Sequence, residues 1–174
     1  MLNGTVMVDV RNLTDHKVSY EIPELNIKRS FNIGETKKLQ VKEVKALFNI
    51  DGGEILVKDF LSVQNEELLD ELFYKPEAEY YWTKQDIEDV LLRGTVARLQ
   101  DALEFAPEGI VEYIKSMAVS LQINDMAKRQ AIQDATGFNI NNAISLANLP
   151  DDDAVEETLV SSVGQRRVPV DVTN

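Results

Sequence analysis

The sequence predicts an α+β fold. A small β-rich module spans residues 1–75, a helical bundle spans 76–149, and an extended acidic tail spans 150–174. Three observations carry this division. Apolar residues recur at every second position through most of the first forty residues, the period of half-buried strands. Beyond residue 65 they recur at helical spacing, behind residues that cap helices. After Pro150 the helical period is lost and aspartate and glutamate dominate.

The strands come first. Val6, Val8 and Val10 alternate with Thr5, Met7, Asp9 and Arg11, and Asn12 to His16 supplies turn formers. Val18, Tyr20 and Ile22 alternate in a second strand, which Pro23 and Asn26 interrupt. Ile27, Arg29, Phe31 and Ile33 alternate in a third, and Gly34-Glu35-Thr36 turns the chain into a short fourth strand, Lys37 to Val41. Val41, Val44, Ala46, Leu47 and Phe48 then fit a short helix that closes at Asn49 and Asp51-Gly52-Gly53. Glu54 to Phe60 is expected to return as a strand. Lys28, Arg29, Lys37 and Lys38 bracket the predicted hairpin of the third and fourth strands. They either offer a basic face to an acidic partner or blunt an exposed sheet edge.

The helices follow. Asn65 is expected to cap Glu66 to Phe73, with glutamates at the positive end of the helix, and Pro76 stops it. Thr83 caps Lys84 to Arg93, and Asp86 completes a capping box as a shorter stand-in for glutamate. Gly94 ends that helix, and Thr95 starts another with Val96, Leu99, Ala102 and Leu103 inward. Pro107 suits the first position of the next helix, whose stripe is Ile110, Val111, Ile114, Met117, Ala118 and Leu121. Asn124 is expected to cap Asp125 to Thr136, with Ala127, Ala131, Ile132 and Ala135 inward and Gly137 as the left-handed terminator. A last helix runs from about Asn139 to Ala147.

Charge and composition exclude several chemistries. Cysteine is absent, so a disulfide scaffold or a cysteine-ligated metal site is impossible. His16 is the only histidine, lies in a predicted turn, and reads as a surface residue. The N-terminus lacks the basic and apolar runs of a signal peptide, and no apolar stretch exceeds four residues, so no membrane partner is expected. The net charge of −12 is uneven: residues 1–50 carry +2, whereas 51–81 carry −7 and 151–174 carry −4. Such asymmetry either aligns subunits through complementary surfaces or keeps a face solvated. An acidic surface disfavours nucleic acid, whose phosphates need basic contacts.

No motif for chemistry stands out. Neither GxxxxGK[ST] nor GxGxxG occurs, and HExxH, an EF-hand loop and GxSxG are also missing. Carboxylate pairs such as Asp86 with Glu88, or Asp101 with Glu104, are expected by chance among thirty acids. The reading is therefore non-enzymatic, with no catalytic residue, cofactor or metal. Asp125 to Ile144 has the helix–turn–helix form of a DNA-binding motif, with Gly137 in the turn. Its second helix, Asn141 to Asn148, has no lysine or arginine for phosphates, which favours a structural hairpin and leaves a DNA-binding regulator or adaptor as the alternative.

The candidate partner-binding residues are Tyr80, Tyr81, Trp82, Arg166, Arg167, Val168 and Val170. Tyr80-Tyr81-Trp82 is the densest aromatic patch and holds the only tryptophan. It suits either an interface anchor or a joint between the two halves. Val168, Val170 and Val172 alternate, so the tail either adds a strand to a neighbour's sheet or is a loose terminus.

The sequence also resembles structural proteins of tailed bacteriophages, in particular small capsid- or neck-associated proteins. The resemblance rests on Ile27-Lys28-Arg29-Ser30-Phe31, Gly34-Glu35-Thr36-Lys37, Glu43-Val44-Lys45-Ala46-Leu47, Asp51-Gly52-Gly53 and Phe105-Ala106-Pro107-Glu108-Gly109. Asn124-Asp125-Met126-Ala127-Lys128-Arg129 and Thr136-Gly137-Phe138 extend it, so that it spans about residues 25–145. It is a likeness of texture and order, and it carries no functional residue across. It implies a virion component present in multiple copies, assembled in the host cytoplasm, whose partners are other capsid or head–tail subunits.

Overall fold

The structure, a computed structural model, describes residues 1–149. Small antiparallel sheets at the N-terminal end are followed by helices, so the α+β class holds. Strand β1 (Met7–Asn12) buries Val8, Val10 and Asn12, exposes Met7 and leaves Asp9 and Arg11 half-buried. β2 (Val18–Ile22) alternates in the same way. A 3-10 turn, Pro23–Leu25, ends on Asn26 in the left-handed conformation and leads into β3 (Ile27–Phe31). β4 (Thr36–Gln40) runs straight into helix α1 (Val41–Asn49), which turns Val41, Glu43, Val44 and Leu47 inward.

The sheets depart from the expected hairpin order. β2 pairs with β3, whereas β4 pairs with β1, and β1 lies between β4 and β5. The Gly34 turn (φ +64°) therefore carries the chain from one sheet to the other. The four basic residues around this turn each form an ion pair within the chain. Lys28 meets Glu21 at 3.4 Å, Arg29 meets Glu43 at 2.5 Å, Lys37 meets Glu35 at 3.4 Å and Lys38 meets Asp9 at 3.7 Å. The expected inward alternation also breaks at both ends, since Val6 and Ile33 are exposed.

The expected strand at Glu54–Phe60 is helical. A short α2 (Gly53–Ile55) continues as a π turn, Leu56–Phe60, and the strand β5 (Leu61–Gln64) comes only afterwards. The physical reason lies in the spacing of the buried residues. Gly53 and Val57 are buried four positions apart while Ile55 between them is exposed, so burial follows one side of a helix; a strand would turn Ile55 to the same face as both. Leu61, Ser62 and Val63 are then all buried, because β5 is covered on both faces.

Helix α3 (Glu66–Glu71) starts at Asn65, whose side chain accepts from the Leu68 N–H at 2.8 Å. A second 3-10 turn, Ala78–Tyr80, leads to α4 (Lys84–Leu92). Its capping box forms as expected, with Thr83 and Asp86 exchanging side-chain and backbone hydrogen bonds. Thr95 caps α5 (Val96–Phe105). Pro107 is the N-cap of α6 (Glu108–Ser120), one position earlier than expected, and the helix buries Ile110, Val111, Ile114, Met117 and Ala118. Asp125, not Asn124, caps α7 (Met126–Thr136), accepting from the N–H groups of Ala127 and Lys128. The inward face of α7 is Lys128, Ala131 and Ile132, and Ala127 and Ala135 are exposed, because the helix packs through Lys128 on the end of α4. Gly137 (φ +72°) ends α7, and Asn139 caps α8 (Ile140–Ala147).

Two apolar clusters result. One gathers Val10, Phe31, Leu39, Leu47, Leu61 and Leu68 between the sheets and α1. The other gathers Ile87, Leu99, Ile110, Ile114 and Ile132 among the helices, and takes Leu13 from the end of β1. Burial of such clusters at roughly 25 cal/mol per Å² supplies the main favourable term of folding. The first half is thus anchored to the second through Leu13 and through α6, which packs on the π turn.

Candidate functional site

Tyr80 and Trp82 belong to the helical cluster, and Tyr81 packs against it. Tyr80 is 7% and Trp82 8% exposed, so both rings are buried among the helices. Tyr80 and Trp82 pack with ring centroids 6.2 Å apart, and Tyr80 also stacks on Phe105 at 6.4 Å. The Tyr80 hydroxyl donates to Asp101 at 2.6 Å; that carboxylate pushes the phenol pKa up to about 12. Arg98 lies over the Trp82 ring at 5.5 Å, a cation–π contact. The remaining candidates, Arg166, Arg167, Val168 and Val170, and the extended tail itself lie outside the described residues.

Arg11, which the sequence reading did not single out, is the centre of the joint. It stands on β1 opposite Ser62 of β5, and its Nη2 donates to the Tyr81 carbonyl at 2.6 Å. Its Nε is buried with no hydrogen-bond partner, and so are the Ser62 Oγ and the Tyr81 hydroxyl. Among the described residues these are the buried side-chain polar atoms without partners, and they gather around one arginine. Such atoms cost free energy unless something hydrogen-bonds them. Burial lowers the Arg11 pKa, and the charges of Asp86 and Tyr81 partly restore it. Burial, followed by the neighbouring Tyr74 hydroxyl, pushes the Tyr81 phenol well above its usual range.

Next to Arg11 a cavity of about 190 Å³ opens between β1, the Gly34 turn, the start of α4 and α6. Leu13, Ile33, Trp82 and Tyr113 give it apolar walls, and Arg11 and Lys84 bring cationic groups to it. Asp86 is close but occupied: its carboxylate accepts from the Thr83 N–H at 2.8 Å and from the Thr83 hydroxyl at 2.7 Å. Those two bonds, then the charges of Arg11 and Arg98, hold the Asp86 carboxyl below its ordinary range.

Below this cavity the floor is a polar node. Asn12 is 1% and Thr14 0% exposed. The Asn12 Nδ2 donates to the carbonyls of His16 (2.7 Å) and Asn32 (3.0 Å), and its Oδ1 accepts from the Thr14 N–H and hydroxyl, both at 2.9 Å. His16 is exposed and its Nδ1 lies 3.1 Å from Asp15, a surface pair as expected. Among the described residues, no group of three or more histidine, aspartate or glutamate side chains is arranged to hold a metal ion.

The helix–turn–helix candidate is present as α7, the Gly137 turn and α8. Its basic residues are used internally. Lys128 is 3% exposed and donates to the carbonyls of Val90 (3.0 Å) and Leu91 (2.8 Å) at the end of α4. Arg129 donates to the Ile123 carbonyl at 2.5 Å and to Asn141 at 2.6 Å. α8 carries no charged residue. Among the described residues, no helix is long and apolar enough to cross a membrane.

In comparisons with known proteins, no family model, no curated protein and no solved structure matches this chain.

Proposed function

We propose that this chain is a non-enzymatic structural protein of a tailed-bacteriophage virion, present in multiple copies, that docks to neighbouring capsid or head–tail subunits. Its place is the virion, reached by assembly in the host cytoplasm. The reading is supported by the sequence resemblance and, above all, by the surface of α8. That helix has no charged side chain in a protein with 28% charged residues. Its Leu146 is 68% exposed, and Leu149 just beyond it is 63% exposed. Apolar side chains placed together on an outer helix are the usual material of a protein interface. The interior joint complements this role, since Arg11 of β1 ties the sheet to the helical half at the Tyr81 carbonyl, and α8 packs on α6 and α7.

Mass spectrometry of purified particles from the virus that encodes the chain tests the reading. Multiple copies per particle are expected, and Leu146→Asp lowers their number without unfolding the isolated protein. Particles that contain no copies overturn it.

A further inference from the structure

We propose that the turn closing α3 is a protein-docking site. Phe73 is its anchor, and the groove beside it takes an apolar side chain from a basic segment of a partner protein. The inference goes beyond the virion reading and does not depend on it.

Phe73 is an outlier in two respects. The first is its backbone. α3 ends in a Schellman motif: the Phe73 N–H donates to the Asp70 carbonyl at 3.1 Å, and the Tyr74 N–H donates to the Leu69 carbonyl at 3.0 Å. The motif holds Phe73 in the left-handed region, at φ +52°, where glycine is the usual residue. The second is its exposure. Phe73 is 97% exposed, so no packing within the described residues offsets the strained backbone or the wetted ring. A glycine at this position would serve the fold better. Strain kept without a gain in packing is the mark of a position held for function.

The groove supplies the complement. It has a volume of about 410 Å³ and apolar walls from Leu69, Tyr74, Pro76 and Ala78, with the carboxylates of Glu66 and Asp70 beside them. Asp70 and Tyr74 flank Phe73 in the motif, so anchor and groove share one turn. Two of the walls are fixed. Leu69 belongs to the apolar cluster of the first half, and the Tyr74 hydroxyl donates to the Lys58 carbonyl at 3.1 Å.

The charge selects the partner. Residues 65–79 hold six carboxylates against one ammonium, that of Lys75. Glu71 is engaged by Lys45 and by the N-terminal amine, which also lies 4.0 Å from Glu67. Glu66, Asp70, Glu77 and Glu79 are exposed, and among the described residues none of them forms an ion pair. Such a field repels phosphates, whether of nucleic acid or of lipid headgroups, and it repels the same face of a second copy. A lysine- or arginine-rich segment carrying a large apolar residue gains from both the field and the groove.

The test uses the full chain and a fluorescein-labelled amphipathic peptide of lysine and leucine, read by fluorescence anisotropy. Saturable binding is expected, and Phe73→Ala is expected to weaken it about tenfold, the loss of one interface anchor. Phe73→Gly is expected to lose the same affinity while its melting temperature rises by about 2–4 °C, because the left-handed strain is relieved. A peptide with glutamate in place of every lysine is expected not to bind, and Leu146→Asp, on α8, is expected to bind as the parent does. Parent-like affinity in both Phe73 variants overturns the proposal, because the peptide then sits elsewhere on the acidic chain. Equal binding of the glutamate peptide, or no saturable binding at all, overturns it too. So does a dimer of the parent chain in sedimentation that Phe73→Ala abolishes, since the occupant would then be a second copy.

Discussion

Arg29 and Glu43 form a two-pronged ion pair that ties the β2–β3 hairpin to α1. Arg29 Nε reaches Glu43 Oε1 at 2.5 Å and its Nη2 reaches Oε2 at 2.8 Å. Tyr20 adds a third donor at 2.7 Å. Glu43 is 2% exposed, so its charge is tolerated only because these donors surround it. Burial alone would raise the Glu43 pKa; the hydrogen bonds from Arg29 and Tyr20 outweigh it and hold the carboxyl below the ordinary glutamate range.

The first prediction follows from that pair. A carboxyl with a lowered folded-state pKa contributes stability above its unfolded pKa, and this is lost as pH falls through the folded value. Glu43→Gln is therefore expected to cost about 2 kcal/mol at neutral pH, the scale of one charged hydrogen-bond set at a partly exposed arginine. The difference from the parent shrinks as pH falls below the ordinary glutamate range. Urea unfolding at a series of pH values measures both, and a pH-independent difference would contradict the assignment.

Gly109 gives a second prediction, in which two effects oppose. Glycine to alanine within a helix is favourable by up to about 1 kcal/mol. A Cβ at 109, however, would stand 2.7 Å from the Asp59 carbonyl oxygen and 3.1 Å from the Thr14 Cγ2. The first contact is with backbone of the π turn, which has little room to yield. Overpacking of this kind costs about 1–3 kcal/mol. Gly109→Ala is expected to lower the melting temperature, and a rise would show that α6 sits less tightly on the π turn than described.

Lys128 carries a third. Its ammonium replaces water at the C-terminal carbonyls of α4, where a positive charge also suits the helix dipole. Lys128→Met keeps the stem and removes the donors. Two buried carbonyls then lose their partner, at a cost of about 1–3 kcal/mol. Thermal unfolding gives the magnitude, and hydrogen exchange is expected to quicken first at the end of α4.

Asn12 provides the fourth. It satisfies two carbonyls and two donors at once, which a carboxylate cannot do. Asn12→Asp sets a negative charge against the His16 and Asn32 carbonyls and is expected to destabilise by more than about 2 kcal/mol at neutral pH. Acidification should restore part of that loss, because the protonated acid donates again. Asn12→Ala lacks the charge, so its stability should show no such recovery in the same titration.

The residues that cap, turn and stripe the helices could be read in advance because their physics is local. Thr83 with Asp86, Thr95, Asn65 and Gly137 act through neighbours three or four positions away, and all fall where expected. The burial of Tyr80 and Trp82 was legible only as one of two uses for an aromatic run. Arg11 escaped notice, because an arginine alternating with valines in a strand reads as the solvent face. Its partners, Ser62 and Tyr81, lie 51 and 70 positions away.

By itself the sequence determined the α+β class, the helix boundaries to within a residue or two, and the absence of cysteine chemistry. The tertiary structure alone decided which strands pair, that 54–60 is helical, and where the basic residues are spent. The reason is the range of the forces. Caps and periodicity are set by hydrogen bonds and side-chain spacing within a turn or two of chain. Strand partners, buried ion pairs such as Arg29–Glu43 and the cavity beside Arg11 depend on which distant segments meet, and only the packing of both clusters specifies that.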